Sequence, residues 1–187
     1  TGELFQRIKR KPGVNYTSLW LNDKGFRKAL TAHEVDIDPR LLFYPSEAFA
    51  QSNNNCSSAE MREKQRDWVR LYKEEGYTVD AAYVMTAFGC NLEGPIPQER
   101  ILDDFRFILQ LCEEENIPVP ILVVADTMGW GNPEAVKRMI GALRELAPEA
   151  RIGMHIHDTR GLGIANVYAA LSMGVDMFES SVAGLGG

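Results

Sequence analysis

Cysteine is scarce in this sequence, and the positions of the few cysteines argue against two kinds of site. The three cysteines are Cys56, Cys90 and Cys112. They have no metal-ligand spacing, and an odd number cannot all pair in disulfides. A disulfide framework of the kind that staples secreted domains is therefore not expected. The sequence favours a reducing compartment, either the cytoplasm or, in a eukaryote, the mitochondrial matrix.

Long apolar runs and basic clusters are also missing. No apolar run approaches the length of about 18 residues that a membrane-spanning helix needs, and the N-terminus carries no apolar signal-peptide segment. Basic residues occur singly except between Arg7 and Lys11, and the formal net charge is -6. We therefore expect neither a membrane nor a nucleic acid among the partners. The 45% hydrophobic and 25% charged composition is that of an ordinary globular protein.

Histidine is scarce too, but two of the three histidines, His155 and His157, stand two residues apart. Residues 151–157 are predicted to form a β-strand, in which alternate side chains point to the same face. Imidazoles spaced in this way, with Cα atoms about 7 Å apart, can converge on one cation. The same pattern also fits hydrogen-bonded structural histidines. The acidic, glycine-rich loop that follows directly favours the metal site.

Strands alternate with helices along the chain, which predicts a parallel α/β sheet. A doubly wound open sheet and a TIM (β/α)8 barrel both fit this order. Polar groups at the carboxyl ends of four strands favour the barrel, because a barrel gathers such groups on one axis. The groups are Glu47, Asp126, His155 with His157, and Ser180 with Ser181. The predicted strands are residues 17–21, 37–43, 78–88, 120–127, 151–157 and 176–183, and residues 51–57 are predicted to be a polar loop.

Six strands do not close an eight-stranded barrel. We therefore interpret residues 1–187 as a single, incomplete barrel domain that lacks the first strands and a C-terminal segment. Unpaired strand edges readily pair with another chain. A stable monomer of these residues is thus not expected, and a homodimer stays open.

Several of the polar side chains also have simpler interpretations. Asp126 is followed by two nearby glycines, so it either caps that turn or takes part in chemistry. Glu47 is either a solvated loop residue or part of the site. Ser180 and Ser181 are adjacent, and only one of them can face the barrel interior because strand side chains alternate.

Five groups of residues follow one another in an order typical of one enzyme family. They are residues 46–57, 88–94, 125–133, 155–166 and 180–187. Together they resemble the 3-hydroxy-3-methylglutaryl-CoA lyase family over nearly the whole chain. The histidine motif is shared by a wider superfamily that includes isopropylmalate and homocitrate synthases. The Ser-Val-Ala-Gly-Leu-Gly-Gly motif at the end is more specific to the lyases.

This resemblance implies a TIM barrel, of which the chain supplies strands three to eight, that binds Mg²⁺ or Mn²⁺. It implies that His155 and His157 are metal ligands and that His155 also handles a proton. It implies further that Asp126 is a catalytic acid, which lies either behind the metal ligands or on the substrate side. The reaction implied is cleavage of 3-hydroxy-3-methylglutaryl-CoA, or a close analogue, to acetoacetate and acetyl-CoA. Four further residues are implied as contacts of this acyl-CoA substrate, namely Glu47, Thr127, Arg160 and Ser181.

Three functional groups of the family lie outside this sequence. They are an aspartate in a first-strand Arg-Asp-Gly motif, an asparagine beyond the Gly-Leu-Gly-Gly loop, and a cysteine directly after Gly187. In addition, Arg160 stands where the lyases usually carry an aromatic residue, which leaves the exact acyl group open. Two other functions are therefore retained: a Claisen-type synthase that condenses an acyl-CoA with a 2-oxo acid, and a non-catalytic truncated barrel.

Overall fold

The chain is divided into two compact units in a computed structural model that describes Glu3 and residues 7–181. The units are residues 1–39 and residues 40–187. The prediction that residues 1–187 form one barrel domain stays a prediction. In the first unit, helix α1 (Asp23–Leu30) begins at Asn22, whose side chain accepts a hydrogen bond from the backbone of Gly25.

One predicted strand is absent from the first unit. Residues 17–21 are irregular, and no described strand pairs with them. Leu19 and Leu21 point outward, with 72% and 75% of their surface exposed. A short segment that leaves both leucines exposed gains little from an extended backbone that pairs with no described strand. The prediction of a strand here was therefore wrong.

The second unit contains a five-stranded parallel sheet whose spatial order equals the chain order. The strands are β1 (Arg40–Phe43), β2 (Ala81–Val84), β3 (Ile121–Asp126), β4 (Ile152–Ile156) and β5 (Met177–Phe178). Parallel strands that pair in sequence order, with a helix in each crossover, form an arc of a TIM barrel. The predicted α/β fold is therefore confirmed, with five strands described in place of the six predicted.

Two helices of the second unit begin at capping signals that the sequence already shows. Ser57 and Glu60 form a reciprocal capping box, and Asn132 caps the helix that starts with Pro133. None of the described helices is both long and apolar enough to cross a membrane. The helices are α2 (Glu47–Asn54), α3 (Ser58–Glu74), α4 (Gln98–Glu114), α5 (Pro133–Leu146) and α6 (Gly163–Ser172).

Helix α2 replaces most of the polar loop predicted at residues 51–57. Ser46 starts the helix by accepting a hydrogen bond from the backbone of Phe49, and Asn55 ends it in the left-handed conformation. Capping at both ends satisfies backbone groups that a short polar helix otherwise leaves to water. The loop prediction was wrong because it weighed polarity above these caps.

The two faces of the sheet bury different sets of side chains. The helix-facing side includes Leu41, Phe43, Leu122 and Val124, each completely buried. The opposite side, which faces the barrel interior, carries a cluster of Ala81, Tyr83 and Val123 with Leu42, Ile121 and Met177 packed against it. The alternation of the strands thus separates the packing surface from the surface that carries the polar site.

Candidate active site

His155 and His157 converge at the carboxyl end of β4. Their Nε2 atoms lie 3.0 Å apart, and their ring centroids lie 4.9 Å apart. Both side chains are half-buried. The strand alternation predicted from the sequence therefore brings the two imidazoles together on one face.

His155 belongs to a hydrogen-bonded group of four residues that spans the width of the sheet. The Nδ1 atom of His155 lies 2.5 Å from Oε2 of Glu179, which follows β5. The other carboxylate oxygen of Glu179 accepts hydrogen bonds from Arg40 on β1 and from the Tyr83 hydroxyl on β2, each at 2.8 Å. Side chains from four strand positions thus meet inside the barrel arc.

These contacts set the charge of Glu179. Burial raises the pKa of its carboxyl group, but hydrogen bonds from His155 and Tyr83 and the charge of Arg40 outweigh that effect and hold the pKa at about 2. Glu179 is therefore an anion at neutral pH.

The two histidines fit part of a divalent cation site. Nitrogens 3.0 Å apart match neighbouring ligand positions around an ion with metal-ligand distances of about 2.1 Å. Among Glu3 and residues 7–181, no group of three or more His, Cys, Asp or Glu side chains could hold a metal ion. Mg²⁺ and Mn²⁺ prefer oxygen ligands, so the pair needs further donors. The alternative of a structural histidine pair also fits, since 3.0 Å is a normal hydrogen-bond length.

Asp126 lies at the end of β3 and holds the loop that follows. Its Oδ1 accepts a hydrogen bond from the backbone of Trp130 at 2.8 Å, and its Oδ2 accepts one from Gly131 at 2.9 Å. Burial raises the pKa of the Asp126 carboxyl group, and these hydrogen bonds and the charges of His157 and Arg160 only partly oppose the rise. The geometry therefore supports the turn-capping interpretation, and a catalytic role for Asp126 stays a prediction.

Three loops at the same edge are tied together by Trp130. The guanidinium of Arg160 lies 4.6 Å from the centre of the Trp130 ring and donates a hydrogen bond to the carbonyl of Gly129. The Trp130 indole donates to Asn91 at 2.7 Å. Thr127 directly follows β3, and its hydroxyl accepts a hydrogen bond from the backbone of Thr86. Arg160 and Thr127 thus lie at the predicted edge, and their contact with a substrate stays a prediction.

The last two predicted substrate contacts lie in different places. Ser181 lines a pocket of about 320 Å³ together with His157 and Glu179. Glu47 is exposed and lies in a separate groove beside Arg62 and Arg100, which none of the site residues described above lines. The carboxylate of Glu47 accepts a hydrogen bond from the backbone of Ser58, at the start of α3. The structure therefore groups Ser181, but not Glu47, with the histidines.

The family of the chain follows from its match to known proteins over its whole length. Residues 3–187 match the family model described as HMGL-like. The chain belongs to the HMGL-like family. One relative is the mitochondrial hydroxymethylglutaryl-CoA lyase of Bos taurus, 34% identical over 186 residues that cover 99% of this chain and 54% of the relative.

A second relative in the HMGL-like family is named 3-hydroxy-3-isohexenylglutaryl-CoA/hydroxy-methylglutaryl-CoA lyase, from Pseudomonas aeruginosa. It is 34% identical over 188 residues, which cover 100% of this chain and 59% of the relative. The structure of an HMG-CoA lyase from Acinetobacter baumannii in complex with coenzyme A and 3-methylmalate has a TM-score of 0.82 at 30% identity, and the match covers 100% of this chain and 58% of that one. The predicted family is confirmed, and the chain spans a little over half the length of these relatives.

Sequence reasoning missed Glu179, Arg40 and Tyr83. Arg40 and Glu179 carried a signal, because a charged residue within or beside a buried strand of an HMGL-like barrel needs a partner. Tyr83 is uncharged and carried no such signal. Arg40 opens β1, and Glu179 directly follows β5. The motif from residue 182 to residue 187, on which part of the resemblance rested, lies outside the described residues.

Proposed function

We propose that the full-length protein is a divalent-metal-dependent carbon-carbon lyase that cleaves 3-hydroxy-3-methylglutaryl-CoA, or a close analogue, to acetoacetate and acetyl-CoA. The observation that carries the proposal is the convergence of His155 and His157 at the carboxyl edge of an HMGL-like barrel. Carboxyl edges of barrel strands are where enzymes of this fold place their chemistry.

His155 and His157 would hold the cation, Mg²⁺ or Mn²⁺, through their Nε2 atoms. When bound, the cation would supply Lewis acidity at the tertiary hydroxyl and orient the substrate. Both ring nitrogens of His155 already have partners, Glu179 on one side and His157 on the other. This arrangement favours a role for His155 as a ligand, and its additional role in handling a proton stays a prediction.

The loops beside the histidines would receive the acyl part of the substrate. Arg160 is held on the Trp130 ring, so its guanidinium is ordered before a ligand arrives. A planar guanidinium pairs well with a carboxylate, and a 3-hydroxyglutaryl group carries one. Ser181 adds a hydroxyl to the pocket that His157 lines. These features support an acyl-CoA with a free carboxylate as substrate.

The proposal is tested by assaying the purified full-length protein for acetoacetate formation from 3-hydroxy-3-methylglutaryl-CoA. We expect activity that EDTA abolishes and Mg²⁺ or Mn²⁺ restores. His155→Ala should lower kcat/KM by more than the roughly 10- to 100-fold that follows loss of a residue outside the ligand shell. His33→Ala is the matched control, because His33 is exposed and lies in the first unit.

Undiminished turnover in EDTA would contradict the proposal. Release of CoA from acetyl-CoA only when a 2-oxo acid is added would instead identify a Claisen-type synthase. No turnover with either substrate set would identify a non-catalytic protein. Comparing kcat/KM for 3-hydroxy-3-methylglutaryl-CoA and for an analogue with a longer 3-substituent would show which acyl group the protein prefers. Arg160, in the loop between β4 and α6, is the residue expected to influence this preference.

A further inference from the structure

We infer that Glu179 is a positioning residue, which holds His155 in the one tautomer that can bind a cation through Nε2. The inference deepens the proposed function and rests on it for the presence of a cation. It follows from the hydrogen bonds around the Glu179 carboxylate.

The contact with Glu179 decides which nitrogen of His155 carries the proton. An ionised carboxylate can only accept hydrogen bonds, so the 2.5 Å contact between Oε2 of Glu179 and Nδ1 of His155 places a proton on Nδ1. In a neutral imidazole the other nitrogen then carries a lone pair. That nitrogen, Nε2, is the atom directed at His157. Glu179 thus presents a lone pair where a metal ligand is needed.

Glu179 is itself held in place by two hydrogen-bond donors. Its Oε1 accepts hydrogen bonds from Arg40 and Tyr83, while its Oε2 faces His155. Arg40 has only donors, so the atom in front of it must be an acceptor. Arg40 and Glu179 are each about one-quarter to one-third exposed at the side chain. The carboxylate is therefore held from two strands, β1 and β2, and cannot easily turn.

These constraints make an isosteric variant more informative than a truncation. In Glu179→Gln, Arg40 and Tyr83 keep the amide oxygen on their side, so the amide nitrogen faces His155. That nitrogen is a donor and favours the tautomer with a bare Nδ1 and a proton on Nε2. A proton on Nε2 blocks coordination. A change of one atom is thus expected to invert the tautomer.

The experiment uses full-length protein with ¹⁵N-labelled histidine. Imidazole nitrogen shifts of the metal-free protein report the tautomer directly, and titration with Mn²⁺ reports the affinity. We expect a protonated Nδ1 on His155 in the wild type and a protonated Nε2 in Glu179→Gln. The Mn²⁺ affinity should fall by about 10- to 100-fold in the variant.

A control variant separates the position of Glu179 from its charge. Asp176→Asn removes the same negative charge just before β5, from a side chain that is 68% exposed and paired with Arg151. This variant should retain the wild-type tautomer of His155 and bind Mn²⁺ within a few-fold of the wild type.

Each outcome decides the inference. A protonated Nε2 in the metal-free wild type would overturn it without any variant, and so would an unchanged tautomer and affinity in folded Glu179→Gln. If the tautomer inverts but the wild type never binds Mn²⁺, the role of Glu179 stands and the proposed metal-dependent function fails. If the wild type binds Mn²⁺ and Glu179→Gln binds it equally, the proposed function survives and this inference fails.

Discussion

Asp104 shows how burial acts on a single carboxylate in this protein. It lies in α4 with 2% of its side chain exposed, and its Oδ1 pairs with Arg62 at 2.7 Å. Burial raises the pKa of the Asp104 carboxyl group, and the charge of Arg62 only partly opposes this. The folded state therefore binds the Asp104 proton more tightly than the unfolded chain does.

The raised pKa predicts a pH dependence of stability. The stabilising contribution of Asp104 is fully present below its ordinary pKa of 3.8 and is lost as the pH rises through the raised value. We expect the free energy of unfolding of the wild type to decline over this window relative to Asp104→Asn. Urea unfolding of both proteins from below pH 3.8 to neutrality measures the difference.

A neighbouring residue supplies the control for this prediction. Asp103 is 52% exposed and pairs with Arg106 on the surface of the same helix. Asp103→Asn should therefore follow the wild-type pH dependence closely. Parallel curves for the wild type and Asp104→Asn would show that burial of Asp104 does not control its protonation.

At the scale of elements, the loops after β3 and β4 approach each other so closely that only glycine fits between them. A Cβ atom on Gly129 would lie 2.8 Å from Oγ1 of Thr159 and 3.1 Å from the carbonyl oxygen of His157. Gly129 also has a φ of 64°, which L side chains rarely adopt. Gly161 has a similar φ of 70° but has no atom within 4 Å of such a Cβ.

This pair of glycines predicts two different effects. Gly161→Ala should cost about 1 to 2 kcal/mol in the free energy of unfolding from the backbone conformation alone. Gly129→Ala should cost more, because Thr159 and the His157 backbone must move as well, and it should also weaken Mn²⁺ binding. Urea unfolding and Mn²⁺ titration of the full-length variants measure both effects. Equal losses of stability, with Mn²⁺ affinity unchanged in both, would show that the loops do not meet as described.

At the scale of the molecule, helix α6 presents an apolar stripe to solvent. Ile164, Tyr168 and Leu171 have helical spacing and are 83%, 75% and 51% exposed. Strand β5, the next element along the chain, lies at an edge of the described sheet. Apolar patches and open sheet edges of this kind promote association between chains.

We therefore expect residues 1–187, produced alone, to self-associate. Sedimentation at several protein concentrations should show a mass that rises with concentration. Ile164→Lys combined with Tyr168→Lys should reduce the association, because it places charge in the centre of the apolar stripe. A monomer at all concentrations for the unmodified chain would contradict this expectation.

Much of the fold could be predicted from local patterns. Apolar runs in the sequence predict the buried strands β3 and β4. Helices α3 and α5 begin at capping signals that act within a few residues. The predictions failed where strand pairing or helix capping outweighed the residue composition of a segment. Residues 17–21 have the composition of a strand, but no described strand forms a ladder with them. Helix α2 has a polar composition, but caps at both ends stabilise it.

The sequence by itself determined the parallel barrel, the family and the pairing of His155 with His157, because strand alternation and motif spacing are properties of the chain alone. Only the tertiary structure decided that Arg40, Tyr83 and Glu179 meet at His155, since they come from strands up to 139 residues apart. The structure also separated Glu47 from this group. Contacts between distant strands depend on how the sheet curves, and no local pattern encodes that curvature.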